Sequence, residues 1–122
     1  MQKKTNPDKT TPEKIKLCAF EELPELGSRG FQSEDSNPPL NIFLVRRYSE
    51  IFAYENVCPH TQGPLDWQPD VFLDPDQAYI QCASHGALFE IDNGLCIYGP
   101  CQEESLIALN CYVENGWVHI ER

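Results

Sequence analysis

The sequence has 122 residues, which is enough to bury one hydrophobic core but too few for a large catalytic domain beside it. Its hydrophobic fraction of 41%, with six Phe, five Tyr and two Trp, excludes a wholly disordered chain. The net charge of -10 disfavours nucleic acid and anionic membranes as partners and suits a basic protein surface, although such a charge also serves solubility alone.

The N-terminal third of the chain is predicted to contain a tail, one strand and a loop. Residues 1–14, MQKKTNPDKTTPEK, have no apolar period, which predicts a disordered tail ahead of one folded domain over residues 15–122. From Ile15, IKLCAF alternates apolar and polar side chains as a half-buried strand does. The following ELPELGSRGFQSEDSNPP is rich in Gly, Pro and Ser, and it predicts a long surface loop.

The rest of the chain is predicted to be strands. NIFLVRR and EIFAYEN, on either side of Tyr48-Ser49, indicate a hairpin rich in β-branched and aromatic residues. CYVENGWVHIE indicates a second hairpin, because Asn115-Gly116 suits a type I′ turn. AYIQC, ALFEI and LIALN are further runs of strand length. We therefore predict an all-β fold, an antiparallel sandwich or small barrel of about seven to ten short strands.

Two close pairs of cysteine and histidine indicate a metal site. Cys58 and His60 form one pair, Cys82 and His85 the other, and each pair follows a strand-like run on a segment with turn-forming Gly or Pro. A backbone turn lets such neighbours face one site. No apolar run reaches the roughly 20 residues of a membrane span, and no signal peptide is evident, so we expect a cytosolic protein. In that reducing compartment, cysteines favour metal binding over disulfides.

The four candidate ligands suit either zinc or an iron–sulfur cluster. Structural zinc sites usually combine a cysteine pair with a histidine pair, whereas here each segment carries one of each residue. That mixed arrangement lets both thiolates bind one iron and both imidazoles the other. A zinc-stabilised interaction module stays open as an alternative.

The segments CPHTQGPLD and CASHGALFEIDNGLCIYGP resemble the Rieske family, whose signature is C-x-H followed, after a spacer, by C-x-x-H. The resemblance implies a Rieske-like antiparallel β sandwich with a small cluster-binding subdomain of two loops, holding one 2Fe-2S cluster. By the same resemblance, Cys58 and Cys82 bind the inner iron, and His60 and His85 bind the outer iron. Within the spacer, WQPDVFLDPDQ is expected to be a surface insertion.

The resemblance also implies a function. It predicts a ferredoxin-type one-electron carrier between a flavin-containing reductase and an oxygenase or other terminal oxidoreductase, with no activity of its own in the absence of partners. We expect a monomer with neither nucleic acid nor membrane as partner. The alternative from another class is the small non-catalytic subunit of an oxidoreductase such as assimilatory nitrite reductase.

The potential is expected to be low within the Rieske range. Two ferric ions, two sulfides and two thiolates sum to zero charge, which raises Rieske midpoints to about -150 to +300 mV. High-potential respiratory members place a serine and a tyrosine where this chain has Ala87 and Phe89, neither of which donates a hydrogen bond from its side chain. The resemblance thus implies a midpoint of roughly -200 to 0 mV.

The remaining notable residues receive structural interpretations. Gly99 and Pro100 lie where Rieske domains carry a loop that shields the cluster. Cys96 and Cys101, on either side of that loop, are interpreted as buried thiols and not as a second redox pair. For the others, we expect core positions for Cys18 and Cys111, packing for Trp67 and Trp117, and no ligand role for His119.

Overall fold

The computed structural model describes residues 13–35, 38–59, 61–66, 68–83, 86–100 and 102–122. These residues form nine β-strands and one turn of 3-10 helix. The strands are β1 Lys14–Ala19, β2 Leu26–Ser33, β3 Leu40–Arg47, β4 Glu50–Glu55, β5 Ile80–Gln81, β6 Leu88–Phe89, β7 Cys96–Tyr98, β8 Ala108–Glu114 and β9 Trp117–Glu121. Nearly all of the predicted N-terminal tail lies outside the described residues. Within the described ranges, no helix is long and apolar enough to cross a membrane.

The strands form two antiparallel sheets, which confirms the predicted all-β class. A six-stranded sheet has the order β1-β9-β8-β4-β3-β2, and a three-stranded sheet has the order β5-β6-β7. Both predicted hairpins are present, as β3–β4 and β8–β9. Asn115 and Gly116 have φ values of 54° and 80°, the positive values that a type I′ turn requires at both central positions.

The prediction of a continuous loop after β1 is wrong, because it contains β2. This strand pairs with β3 over eight residues. Its glycines reflect close packing: an added Cβ at Gly27 would lie 2.4 Å from Cγ of Pro24, and one at Gly30 would lie 3.2 Å from the ring of Phe72. Glycine, the residue type that predicted a loop, is therefore needed here for close contact with other side chains.

The expected surface insertion between the two cysteine–histidine pairs is also partly wrong. Phe72 is fully buried and stacks on Phe43, with ring centroids 4.2 Å apart. Beside it, Asp70 covers the outer edge of β2, since its carboxylate accepts a hydrogen bond from the Gly30 N–H and its carbonyl accepts one from the Ser28 hydroxyl, each at 2.8 Å. The segment thus blocks an open sheet edge that would otherwise be free to pair with another chain.

Two hydrophobic clusters lie on opposite faces of β3. Phe43 belongs to the cluster shared with the three-stranded sheet, and Leu44 belongs to the other cluster, as the alternation of side chains along a strand dictates. Tyr54 on β4 joins the two sheets, because its buried hydroxyl donates a 2.5 Å hydrogen bond to the carbonyl of Ile91. The first cluster is the one that contains the predicted cysteine ligands.

Candidate metal centre

The two predicted cysteine ligands are buried on two loops of one hydrophobic cluster. Cys58 follows β4 and Cys82 follows β5, and both are 0% exposed. Their predicted partners, His60 and His85, lie outside the described residues. The structure therefore gives the positions of two of the four predicted ligands, the cysteines.

The loop after β4 is held by backbone hydrogen bonds that begin and end at its cysteine. The Cys58 N–H donates to the Gly63 carbonyl at 2.8 Å, and the Cys58 carbonyl accepts from the Gln62 N–H at 2.8 Å. Gln62 adopts a left-handed backbone, with φ of 65°, and its side-chain amide donates to the Pro59 carbonyl at 3.1 Å. The cysteine is thus fixed to the residues four and five positions later.

The loop after β5 repeats this pattern. The Cys82 N–H donates to the Ala87 carbonyl at 2.9 Å, and the Cys82 carbonyl accepts from the Gly86 N–H at 2.8 Å. Gly86 is also left-handed, with φ of 68°. Each candidate thiolate is therefore held by a loop of the same backbone design, and each predicted histidine position falls inside its loop.

A direct backbone hydrogen bond connects the two loop regions. The N–H of Ala83, the residue after Cys82, donates to the carbonyl of Leu65 at 3.0 Å. Leu65 is 1% exposed and belongs to the same cluster as both cysteines. The cysteine-bearing loops consequently form one unit, as a centre shared between them requires.

Two other cysteines have the properties of structural thiols. Cys18 and Cys111 pack in the second cluster, and burial raises the pKa of each thiol. A raised pKa keeps the thiol protonated, whereas a metal ligand must be a thiolate. The core interpretation is confirmed for Cys18, which is 3% exposed, and Cys111 is half-buried.

The segment around β7 packs on the second loop. Cys96 is buried, as expected, and Cys101 lies outside the described residues. Gly99 has φ of 107°, and a Cβ added to it would lie 2.9 Å from the Cα of Ala87. The absence of a side chain at residue 99 thus lets this segment cover the second loop directly.

The positions expected to set the potential are buried and apolar. Ala87 and Phe89 are both 0% exposed and belong to the cluster that contains the two cysteines. Neither side chain offers a hydrogen-bond donor. His119, expected to be no ligand, lies on β9 with its ring stacked on Tyr112.

The donor chemistry fits a metal centre bound through cysteine. Thiolates are the ligands that select zinc or iron–sulfur centres, and Cys58 and Cys82 would supply two ligands of a four-ligand set. Within the part of the chain that the structure describes, no three His, Cys, Asp or Glu residues group as a complete site. The fold and the site together define a small all-β protein in which two cysteine-bearing loops form a candidate metal centre.

Comparison with protein families identifies this class. Residues 13–113 match the model of the Rieske [2Fe-2S] domain. The chain belongs to the Rieske [2Fe-2S] family, and its cofactor is a 2Fe-2S cluster. The predicted family, cofactor and role as an electron carrier are confirmed, and the zinc module is not favoured.

Solved structures show the same fold. A chain in the complex of reduced oxygenase and oxidized ferredoxin in carbazole 1,9a-dioxygenase has a TM-score of 0.71 and 21% identity, over 88% of this chain and 92% of that one. The ferredoxin of carbazole 1,9a-dioxygenase from Nocardioides aromaticivorans IC177 has a TM-score of 0.69 and 20% identity, over 90% and 96%. For the Sphingomonas yanoikuyae B1 ferredoxin the values are 0.65 and 23%, over 90% and 99%. A comparison with curated protein sequences gives no match.

Proposed function

We propose that this chain is a ferredoxin-type Rieske protein that delivers single electrons to a terminal oxygenase. In this proposal Cys58 and Cys82 bind one iron of the cluster, and His60 and His85 bind the other. The observation that carries it is the pair of fully buried cysteines on two loops with the same hydrogen-bond pattern. When bound, the cluster supplies a one-electron couple.

The protein's own residues would shield and tune that couple. Burial of Cys58 and Cys82 excludes water from the sulfur side of the centre. Both cysteine N–H groups are used within their loops. Because Ala87 and Phe89 add no side-chain donor, the excess negative charge of the reduced state receives little stabilisation from this part of the protein. We therefore propose a midpoint in the range of roughly -200 to 0 mV.

An oxygenase is the proposed electron acceptor, and a flavin-containing reductase is the proposed donor. Support for the acceptor comes from the solved complex of oxygenase and ferredoxin, one chain of which shares this fold over 88% of the present chain. We further propose a monomer that acts in the reducing cytosol, where thiols such as Cys18 and Cys111 persist.

The distribution of charge supports a basic docking surface on the partner. Residues 48–121 contain both predicted ligand pairs and twelve Asp or Glu residues, but no Lys or Arg. Glu103 and Glu104, whose backbones bond to Cys96 on β7, are exposed, and so is Tyr98, at 62%. An acidic surface speeds encounter with a basic partner, and this attraction weakens as salt screens it.

The ligand assignment is tested by cluster content. Protein produced with iron and sulfide should contain about two irons per chain and give a Rieske-type paramagnetic resonance signal after reduction with dithionite. Cys58→Ser and Cys82→Ser should each lose the signal, whereas Cys18→Ser and Cys111→Ser, the matched controls, should keep it. Zinc as the only bound metal, or full iron in both ligand variants, would contradict the proposal.

The partner assignment is tested by stopped-flow transfer. Reduced protein is mixed with the oxygenase of carbazole 1,9a-dioxygenase, with that system's own ferredoxin as the positive control. We expect oxygenase reduction with a rate that falls as salt rises from about 10 mM to about 300 mM, since the Debye length shrinks over this range. A rate that is independent of salt would refute acidic docking, and no reduction would count against an oxygenase acceptor.

A further inference from the structure

Asn56 is a buried polar side chain at the base of the first ligand loop. It is 5% exposed, and it is the buried polar residue that the described part of the chain contains. It lies immediately after β4 and two residues before Cys58. Burying an amide costs free energy unless its hydrogen bonds are made, so the hydrogen-bond partners of Asn56 indicate its role.

The amide of Asn56 closes the loop that contains the first ligand pair. Its Oδ1 accepts a 2.8 Å hydrogen bond from the N–H of Leu65. The backbone N–H of Asn56 donates to the Asn41 carbonyl at 3.0 Å, which anchors it to β3. Residues 56 and 65, at the two ends of the loop, are therefore held together by one side chain.

The same network reaches the second loop. The N–H of Leu65 donates to Asn56, and the carbonyl of Leu65 accepts a second hydrogen bond from the Ala83 N–H, at 3.0 Å. Ala83 directly follows Cys82. A single path of hydrogen bonds thus runs from a residue two positions before one candidate thiolate to a residue next to the other.

A carboxylate completes the network. The Nδ2 of Asn56 donates to Oδ1 of Asp66 at 3.0 Å, with a longer contact of 3.4 Å to Oδ1 of Asn41. Only one orientation of the amide places its oxygen on the Leu65 N–H and its nitrogen on the Asp66 carboxylate. Asn56 therefore holds Asp66 and the ligand loop in a fixed relation.

We propose that Asn56, together with Asp66, is a positioning residue that sets the spacing of the two ligand loops and, through it, the midpoint potential and the retention of the cluster. This inference rests on the proposed ligand assignment. The potential of an iron–sulfur centre depends on the groups around its sulfurs, so a change in loop spacing alters it. A residue that only stabilised the fold would change the melting temperature and leave the potential unaltered.

Three variants test the role of the amide. Asn56→Ala leaves the buried Leu65 N–H without its acceptor, and we expect about tenfold faster loss of the cluster. Asn56→Asp places a second carboxylate against Asp66, and we expect a lower midpoint together with faster cluster loss. In Asn56→Asp combined with Asp66→Asn, the introduced carboxylate still accepts from Leu65 and now also accepts from the introduced amide. This double variant has the wild-type charge, so both properties should return toward wild type.

Asn93 supplies the matched control. It is exposed in the turn between β6 and β7, yet its amide makes the same two bonds, to a carboxylate oxygen of Glu90 at 2.9 Å and from the Leu95 N–H at 2.8 Å. Asn93→Asp should therefore introduce the same local repulsion without moving the ligand loops. We expect an unchanged midpoint, resonance spectrum and cluster half-life.

Voltammetry, the resonance spectrum, the half-life of the visible absorbance and the melting temperature are measured for every variant. The inference is overturned if Asn56→Asp changes the melting temperature alone, or if the double variant is no closer to wild type than Asn56→Asp. Should Asn56→Ala fail to fold, those two variants still decide. Loss of the cluster in Cys58→Ser, with wild-type behaviour in the Asn56 variants, would overturn this inference and leave the ligand assignment standing.

Discussion

Ala87 is the position at which a hydrogen-bond donor can be added beside the second ligand loop. Its side chain is fully buried in the cluster that contains both cysteines, and its carbonyl accepts the Cys82 N–H at 2.9 Å. Its neighbour Gly99 has no side chain that would compete for a hydroxyl added at residue 87. Ala87→Ser therefore tests whether the absence of a donor here keeps the potential low.

The size of the effect follows from the charge difference between the two redox states. A hydrogen bond to a charged group contributes about 1.5–3 kcal/mol, and one to a neutral group contributes about 0.5–1.5 kcal/mol. The reduced state therefore gains roughly 1 kcal/mol more from the new hydroxyl than the oxidised state does. At about 59 mV per tenfold change for one electron, and about 1.4 kcal/mol per tenfold change, the midpoint should rise by about 40 mV.

Protein-film voltammetry of wild type and Ala87→Ser measures this rise. Ala53→Ser is the matched control, because Ala53 is 2% exposed but belongs to the cluster on the other face of β3. The control should lose stability from the buried hydroxyl and keep the wild-type midpoint. Equal shifts in the two variants, or a fall in Ala87→Ser with the cluster intact, would refute the reasoning.

Three further results are expected. Burial raises the pKa of Tyr54 to about 12 from its usual 10.0, so the unfolded chain loses this proton first, and the free energy of unfolding should fall by about 2–3 kcal/mol between pH 10 and 12. Urea unfolding should show a smaller fall in Tyr54→Phe than in wild type, and an equal fall in the two proteins would contradict this. Gly99→Ala should release the cluster faster than Gly116→Ala, because both have positive φ but only residue 99 would press on Ala87; equal half-lives would refute this contact. His60→Cys should lower the midpoint because it adds negative charge, and an unchanged midpoint with the cluster intact would argue against His60 as a ligand.

The sequence predicts those elements whose signals are local. Alternating apolar residues and the Asn115-Gly116 pair identify the two hairpins without knowledge of any distant contact. β2 is missed because the reason for its glycines is seen only in the folded chain: Gly27 packs on Pro24, and Gly30 packs on the distant Phe72. Phe72, more than forty positions away from Gly30, is misjudged for the same reason.

The candidate site likewise contains residues that the sequence predicts and a residue that it does not. The spacing of Cys58, His60, Cys82 and His85 is visible in the sequence and is sufficient to suggest the family. Asn56 carries no such signal, because an asparagine at the end of a strand is usually a turn residue exposed to solvent. Its importance is seen only when the loop folds back and brings the Leu65 N–H to its side chain.

The two cysteine-bearing loops differ in the spacing of cysteine and histidine but share one backbone design, which would let C-x-H and C-x-x-H serve the same proposed centre. In both loops the fourth residue after the cysteine is left-handed, and both histidine positions precede it. Gly86 adopts this conformation without cost, but Gln62 does so against a penalty of about 1–2 kcal/mol. The hydrogen bond from its side chain to the Pro59 carbonyl offsets part of this penalty. The position of the turn, and not the identity of the turn residue, is therefore what the two halves of the site have in common.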